Sequence, residues 1–475
     1  MSLIIASVHG EVPDNLTGAD LLEIRIDCMT AEQAIAALPE LLASSPIPTI
    51  VTCRSVSEGG IFDGTEEDRV AMYRAALDCK HPPRYIDVEH EVLTRHPLML
   101  DALASEETDI ILSWHDTKSR PNDLLQRAAA MQDIQGVAIV KMVWRARSLR
   151  DNLEAFSLLQ SRQQPMIAMC MGEYGLMSRV LAPKFGAFAV FASVEGKEQT
   201  ASGQPSTKDL RSLFYFDEIN LDTKVFGVIG NNVSHSASPA FHNAAFKAAG
   251  KNAVYLPLPI PAGWEHLKAS VLALQSFKEL HLSGASVTIP HKEQMLKLVD
   301  EADVNCTTAG ATNTVSFIEG KRCANNTDIE ALKELAPQAK RVLVLGGGGV
   351  ARAAIVAMAQ VGATVFVATR RQEQAEMLAE ELPCSIAQNN LNDIDTLINC
   401  TPVGMQGGCD ASSDPATLLA PSLTITPPLV VIDTVYKPRE TPLVQRAIKA
   451  GCATVTGDEM FRLQAAQQQN IWNSK

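Results

Sequence analysis

Lys141 is the one charged residue in the run GVAIVKMVW, residues 136–144. Burying an ammonium is costly, because desolvation disfavours the charged form. Two readings are open from the run itself. Lys141 is either a strand end whose stem lies on apolar surface while its amine reaches water, or a nucleophile aimed at a carbonyl. Other polar residues also stand where apolar runs end: Glu23, Arg25, Asp27, Arg54, Asp87, Glu89, His115 and Asp116. Just beyond such runs lie Glu58, Arg179 and Gln204. Each alone is as readily a solvated strand end. Together they supply a lysine, a histidine, carboxylates and arginines, which is the equipment of a pocket for a hydroxylated carboxylate bearing a carbonyl.

A second group lies in the other half of the chain. In RVLVLGGGGVARAAIVAMAQVGATVFVATRR, residues 341–371, an apolar strand leads through Gly346, Gly348 and Gly349 into an alanine-rich helix and a second strand. That is the pattern of a dinucleotide-binding βαβ unit, whose glycines let the backbone approach a pyrophosphate at the helix N-terminus. Where an NAD-binding unit carries an acidic residue for the ribose, this chain has Thr369, Arg370 and Arg371. Guanidinium groups there favour a 2′-phosphate, hence NADP, although a solvated turn has the same composition. Nearby segments carry Ser236, Ser238, Thr288, Asn313 and Asp328, neutral donors and acceptors suited to a polyhydroxylated ligand. Lys292 and Asp328 are candidates for an acid–base pair that moves a proton while hydride is transferred. Lys292 is equally well placed to be an ordinary residue opening a helix.

Elements must position these groups. Eight strands are predicted in the first 200 residues, at 3–8, 20–26, 49–54, 85–89, 109–115, 137–143, 165–171 and 188–193, with helical patterns between several of them. Continuous apolar strands separated by helices indicate a parallel sheet covered on both faces. Eight units of this length point to a closed (β/α)8 barrel, with an open doubly wound sheet as the other solution. In a barrel the chemistry lies at the carboxyl ends of the strands, where the polar residues above fall. The pattern breaks around 217–223 and a new strand begins at Lys224, which marks a domain boundary.

Composition narrows the classes. A chain of 475 residues suggests about three domains. A net charge of −13 with no basic block argues against nucleic acid as a partner. The ten cysteines form no C-x-x-C pair, and no Cys/His spacing suggests a metal. No run approaches the roughly 20 apolar residues of a membrane span, and no signal peptide is visible. A cytoplasmic enzyme acting on small molecules is the expectation.

The motifs carry a resemblance. Residues from about 224 to 472 resemble shikimate dehydrogenase through SHSASP, VTIPHK, ATNTV, NNTD, LGGGGVARA, NCTPVGM, DTVYKPRETPL and GDEMFRLQA. Residues 1–216 resemble type I 3-dehydroquinate dehydratase through LEIRID, TCR…EGG, SWHD, VKMV, MGEYGLMSR and SGQPS. Their order resembles the bifunctional enzymes of plants and some bacteria. The resemblance implies an α/β architecture: a TIM barrel over 1–218, a shikimate dehydrogenase-like substrate domain over 219–328, and a Rossmann NADP-binding domain over 329–475 whose last helix returns to the substrate domain. It implies Lys141 as the imine-forming lysine, His115 as general acid–base and Glu58 as its orienting partner. It places Ser7, Glu23, Arg25, Arg54, Arg179, Thr200 and Gln204 at substrate-binding positions of the dehydratase. In the other half it implies Lys292 and Asp328 as the catalytic pair. Ser236, Ser238, Thr288, Asn313, Tyr436 and Gln464 fall at shikimate-binding positions there. Gly346, Gly348, Gly349, Val350, Thr369, Arg370, Arg371, Thr401, Met405 and Gly457 fall at cofactor-binding positions. NADP(H) is the implied cofactor of that half, with no metal and no separate cofactor for the dehydratase. Four departures stand out: Thr200 in place of serine, Ser286 in place of asparagine, Asn232 in place of proline, and Ile329 in place of the glycine after NTD.

The mechanism so implied makes Lys141, activated by an apolar setting, condense with the ketone of 3-dehydroquinate. The iminium then acts as an electron sink while a histidine near its ordinary pKa of about 6.5 moves protons. Two rivals share the sequence features. One is an aldolase-type barrel fused to a quinate-preferring dehydrogenase. The other is a sensor that has kept the folds and lost the chemistry, against which the joint presence of Lys141, His115, Lys292 and Asp328 argues.

Overall fold

The computed structural model of the chain describes residues 2–194, 203–388, 391, 393–408 and 410–474. Two compact units emerge: Met1–Val225 with Ser234–Pro259 and Leu272–His281, and Phe226–Val233 with Ile260–Val271 and Leu282–Lys475.

Eight strands in the first unit alternate with helices: β1 (Leu3–His9), β2 (Leu21–Arg25), β3 (Thr49–Thr52), β4 (Tyr85–Glu89), β5 (Asp109–Asp116), β6 (Ile139–Arg145), β7 (Met166–Met171) and β8 (Ala189–Ala192). All but a few of their residues are buried, as strands covered on both faces must be. They pair in parallel in the order β7-β6-β5-β4-β3-β2-β1-β8. The remaining seam, between β7 and β8, is bridged where the Phe188 N–H donates to the Met166 carbonyl at 2.8 Å. The sheet therefore curls into a barrel, as the strand spacing predicts. Helices are started by side chains that satisfy free N–H groups: Thr30 with Gln33, and Thr65 with Asp68, form reciprocal capping boxes.

Register sets the level of each polar residue. Ser113 on β5 lies opposite both Glu89 on β4 and Lys141 on β6, and Ser7 on β1 lies opposite Glu23 on β2. Successive side chains alternate across a strand, so Ser113 and His115 share one face, as do Lys141 and Val143. The same unit buries Lys184, whose Nζ donates to the carbonyls of Leu221 at 2.5 Å and Thr223 at 3.0 Å. Burial, only partly offset by the charge of Asp222, pushes this amine down to about 8.

The second unit contains a fully parallel six-stranded sheet in the order Ser385–Ile386, Thr364–Ala368, Arg341–Leu345, Thr396–Asn399, Val430–Asp433, Ala453–Val455. Counted along the chain this is 3-2-1-4-5-6, the doubly wound dinucleotide-binding order, in which ligands bind where the strand order reverses. That reversal lies between Arg341–Leu345 and Thr396–Asn399, at the glycine loop. The unit also holds strands of a second sheet, among them Leu282–Val287, Thr314–Ile318 and Lys321–Asn325, antiparallel where the latter pair. The last helix, Gly457–Asn473, lies against them: Gln468 donates to the Asn313 carbonyl at 3.1 Å, and Trp472 to that of Val315 at 3.3 Å.

Candidate active sites

A cavity of about 280 Å³ opens at the carboxyl ends of the barrel strands, lined among others by Glu23, Arg25, Arg54, Glu58, His115, Lys141, Arg179, Phe191 and Gln204. Eight residues expected at one pocket are thus brought together, with Phe191 added. Lys141 is 3% exposed. Its Nζ lies 3.0 Å from Asp87 Oδ2, 3.7 Å from Glu23 Oε1 and 3.9 Å from the centre of the Phe191 ring. The expectation of an apolar setting is therefore corrected: the strand is apolar, but the amine ends against two carboxylates and an aromatic face.

Arg54 organises the floor. Its Nη2 donates to Asp87 Oδ1 at 2.8 Å, and its Nη1 donates to Ser113 Oγ at 2.8 Å, with Glu58 Oε2 at 3.2 Å and Glu89 Oε1 at 3.3 Å. A guanidinium so engaged serves mainly to hold carboxylates in place. Glu23 is anchored in turn by the hydroxyls of Ser7 and of Thr52, the latter at 2.9 Å. Arg25 grips Asp27 through two bonds of 2.7 Å. Arg179 differs from these. It is buried, its Nη1 donates only to the Phe191 carbonyl at 2.9 Å, its Nε has no partner, and no carboxylate pairs with it among the described residues. Desolvation pushes it down to about 10. An unpaired buried cation is the strongest demand in the cavity for an anionic ligand.

His115 Nδ1 is 2.8 Å from Glu58 Oε2. Burial, and then the charges of Arg54, Lys141 and Arg25, hold the imidazole well below its usual value. Burial, opposed by Arg54 but reinforced by Glu89 and Asp87, raises Glu58 to about 8. A histidine near pKa 6.5 is thus corrected to a neutral one, with Nε2 left for chemistry because Nδ1 is engaged. A consequence is measurable. The raised Glu58 contributes stability that is complete below about pH 4.5 and is lost as pH rises through about 8. His115 acts in the opposite sense only below about 6.5. Glu58→Gln should therefore gain thermal stability relative to the parent as pH rises from 6.5 to 8. A melting-temperature difference that stays flat over that window would contradict this assignment.

In the second unit the paired lysine and aspartate also meet. Lys292 Nζ donates to Asp328 Oδ2 at 2.5 Å, and both residues are buried. Asn313 fixes the other carboxylate oxygen from 2.8 Å and reaches Thr327 Oγ1 at 2.9 Å and Gln464 Oε1 at 3.3 Å. Asn326 caps the helix Thr327–Leu335 by accepting from the Asp328 N–H at 3.2 Å. Ile329, which stands in place of the family glycine, lies inside this helix and is fully buried in the core. Ser286, another of the four departures, donates to Gln468 Oε1 at 2.8 Å, and Gln468 in turn donates to Thr314 Oγ1 at 3.0 Å.

The glycine loop touches this pair. A Cβ on Gly349 would come within 2.7 Å of Lys292 Cβ, so the start of the helix Gly349–Gln360 is packed directly on the lysine. Gly346 has φ +108°, and a Cβ there would press on Thr401 and Cys400 at 3.0–3.2 Å. At Gly348 a Cβ would meet nothing within 4 Å, and no side chain caps the helix behind it. Open space in front of uncapped N–H groups fits a pyrophosphate. At the end of the adjacent strand, the Arg370 side chain is 72% exposed and pairs with Asp410 at 2.9 Å. Such a pair is weak and readily exchanged for a phosphate. The residues present therefore fit NADP. No group of three or more His, Cys, Asp or Glu able to hold a metal occurs among the described residues.

Other expected positions are scattered. Ser236 and Ser238 lie in the first unit, bonded to each other at 3.1 Å at the start of the helix Ser238–Ala248. Thr288 packs its methyl where a Cβ on Gly230 would fall. Tyr436 stacks on Phe461 with centroids 5.6 Å apart, Gly457 opens the last helix against the Val435 backbone, and Met405 is 40% exposed. Val350 is the second residue of the cofactor-facing helix. Thr200 lies outside the described residues. Sequence reasoning left Ser113, Phe191, Thr327 and Gln468 unassigned. Ser113 was detectable two residues before His115 on the same strand face, and Gln468 one helical turn beyond Gln464.

Two separate centres on two frameworks define the class: a barrel lyase and a nucleotide-dependent oxidoreductase carried on one chain. Comparison with known proteins agrees. Family models described as type I 3-dehydroquinase, shikimate dehydrogenase substrate binding domain, and shikimate/quinate 5-dehydrogenase match residues 7–221, 228–315 and 330–404. The chain is 34% identical over 511 residues to the chloroplastic bifunctional 3-dehydroquinate dehydratase/shikimate dehydrogenase of Arabidopsis thaliana, spanning 99% of this chain and 82% of that one. Its second half is similar to the NADP(+) shikimate dehydrogenases of Methanopyrus kandleri and Aquifex aeolicus. Each is 37% identical over 54% of this chain, covering 92% and 93% of the relative. This chain belongs to the family of bifunctional 3-dehydroquinate dehydratase/shikimate dehydrogenases. It is a shikimate-pathway enzyme with both activities. No helix of the described residues is long and apolar enough to cross a membrane.

Proposed function

We propose that the barrel dehydrates 3-dehydroquinate through an imine on Lys141, and that the second unit reduces the product with NADPH as its preferred cofactor. The observation that carries the first part is the cavity itself, where a buried amine, a neutral imidazole and an unpaired guanidinium face one space. Arg179 takes the substrate carboxylate. Glu23, Arg25 and Gln204 take hydroxyls, as does the hydroxyl of Thr200. Lys141 attacks the ketone, and the carbinolamine loses water to give an iminium. His115 removes a proton from the adjacent carbon and the electron pair moves to the iminium nitrogen. The pair then returns to expel the β-hydroxyl, which takes that proton back from His115 and departs as water. Hydrolysis of the remaining iminium frees 3-dehydroshikimate and Lys141. Glu58 orients His115 by holding its Nδ1.

In the second unit NADPH, when bound, supplies hydride to the ketone of 3-dehydroshikimate. Lys292 gives its proton to the developing alkoxide, and Asp328 holds Lys292 in line for that transfer. Thr288, Asn313, Tyr436 and Gln464 are assigned to the shikimate hydroxyls and carboxylate. Gly346, Gly348, Gly349, Val350, Thr401, Met405 and Gly457 are assigned to the nucleotide, with Thr369, Arg370 and Arg371 around its 2′-phosphate. We place functional boundaries at 1–218, 219–328 and 329–475, and the enzyme in the cytoplasm.

Feeding 3-dehydroquinate with NADPH should consume the nucleotide and yield shikimate. Arg370→Ala should weaken NADP binding about tenfold, since one charge-assisted hydrogen bond is worth about 1.5 kcal/mol, and should change NAD use little. Equal efficiency of the parent with NAD and NADP would contradict the cofactor assignment.

A further inference from the structure

Asp87 has the geometry of a group that belongs to the reaction. It is 1% exposed, on β4, across the barrel floor from Lys141. Its Oδ2 accepts from Lys141 Nζ at 3.0 Å. Its Oδ1 accepts from Arg54 Nη2 at 2.8 Å and from Ser113 Oγ at 2.5 Å. Even its backbone is tied down, because the Tyr73 hydroxyl donates to its carbonyl at 2.8 Å. Each carboxylate oxygen therefore has a separate duty: one is fixed by the floor, and the other points at the amine.

We propose that Asp87 is the counter-ion of the iminium, keeping the Schiff-base nitrogen protonated while His115 takes the neighbouring proton. This rests on Lys141 being the imine-forming residue. The balance is simple. An ammonium and a ketone give an iminium and water, R–NH3⁺ + O=CR2 → R–NH⁺=CR2 + H2O, so the nitrogen carries one positive charge before and after condensation. An anion already paired with that charge needs no rearrangement as the bonds change, which is what electrostatic preorganisation requires. A protonated imine withdraws electrons from the adjacent C–H bond, whereas a neutral imine does so poorly. The ion pair thus keeps the electron sink switched on.

The charges facing Asp87 explain why it, rather than a neighbour, has this role. Arg54 from the end of β3 and Lys141 from β6 hold it as a carboxylate, down to about 2. Glu23 on β2 is 3.7 Å from the amine and already accepts from Ser7 and Thr52. Glu89 is turned to Arg54, Arg69 and the Ser55 N–H. Glu58 and His115 are engaged with each other.

The test uses the full chain and its Asp87→Asn variant, which keeps shape and removes charge. Dehydratase kcat should fall about 100-fold, the scale of losing one charge-directed contact, with a smaller change in KM. Borohydride added with 3-dehydroshikimate should label Lys141 in the parent across neutral pH. In the variant, labelling should shift to lower pH, because an uncompensated iminium loses its proton more easily. Asp87→Glu should restore part of the rate. Absence of label on Lys141 in the parent would overturn the imine reading itself. A parent labelled at Lys141, together with an Asp87→Asn variant showing the parent's kcat and labelling profile, would overturn this proposal alone. If Asp87→Asn does not fold, Ser113→Ala carries the same test by freeing the carboxylate. It should lower kcat and shift labelling in the same direction, and an unchanged profile would refute the counter-ion role.

Discussion

Lys141→Ala is expected to lose dehydration of 3-dehydroquinate by roughly five orders of magnitude or to the floor of the assay, the scale seen when a covalent nucleophile is removed. Among the described residues no second amine lines the cavity. The other cations lining the cavity are arginines, whose guanidinium groups stay protonated and cannot form an imine. Reduction of 3-dehydroshikimate should continue at the parental rate, which separates a lost reaction from a lost fold. His115→Ala should differ in kind. It should lose most turnover and still accumulate imine, because condensation and proton removal are separate steps. Appreciable dehydration by Lys141→Ala, measured as formation of the conjugated product, would contradict the covalent route.

Lys292→Ala is expected to give the mirror result, a fall of about 10²–10⁴ in the reduction rate with dehydration untouched. Asp328→Asn should fall similarly, since it breaks a 2.5 Å pair and leaves Lys292 buried without its anion. Given 3-dehydroquinate and NADPH, both variants should accumulate 3-dehydroshikimate. The sensor reading predicts instead that these substitutions change nothing catalytic. Unaltered turnover by Lys292→Ala, followed by nucleotide absorbance, would remove the proton-transfer role.

The two frameworks were legible in sequence for a simple reason. Buried parallel strands are written as continuous apolar runs, and all eight barrel strands fall within about two residues of where those runs lie. The glycine loop was equally plain, because a glycine run between an apolar strand and a helix is a local pattern, and the positive φ at Gly346 favours glycine there. What each polar group does was much less legible. The run around Lys141 suggested an apolar pocket, yet Asp87 and Glu23 reach its amine from β4 and β2, far away in sequence. His115 looked like a histidine of ordinary acidity until burial and three cations surrounded it. Arg54 looked like a ligand-binding arginine, and its hydrogen bonds go to the protein. Such properties depend on long-range pairing, which no local pattern encodes. The same holds for Lys184, whose Nζ closes on the carbonyls of Leu221 and Thr223, 37 and 39 residues further along the chain.

Covalent capture tests the central claim most directly. The intact chain should be incubated with 3-dehydroquinate, reduced with borohydride and digested, and the peptides weighed. The imine account predicts the added mass of one reduced ligand on the peptide carrying Lys141, lost in Lys141→Ala and retained in His115→Ala. Mass on a different lysine, or an unmodified chain that still turns over the substrate, would contradict it.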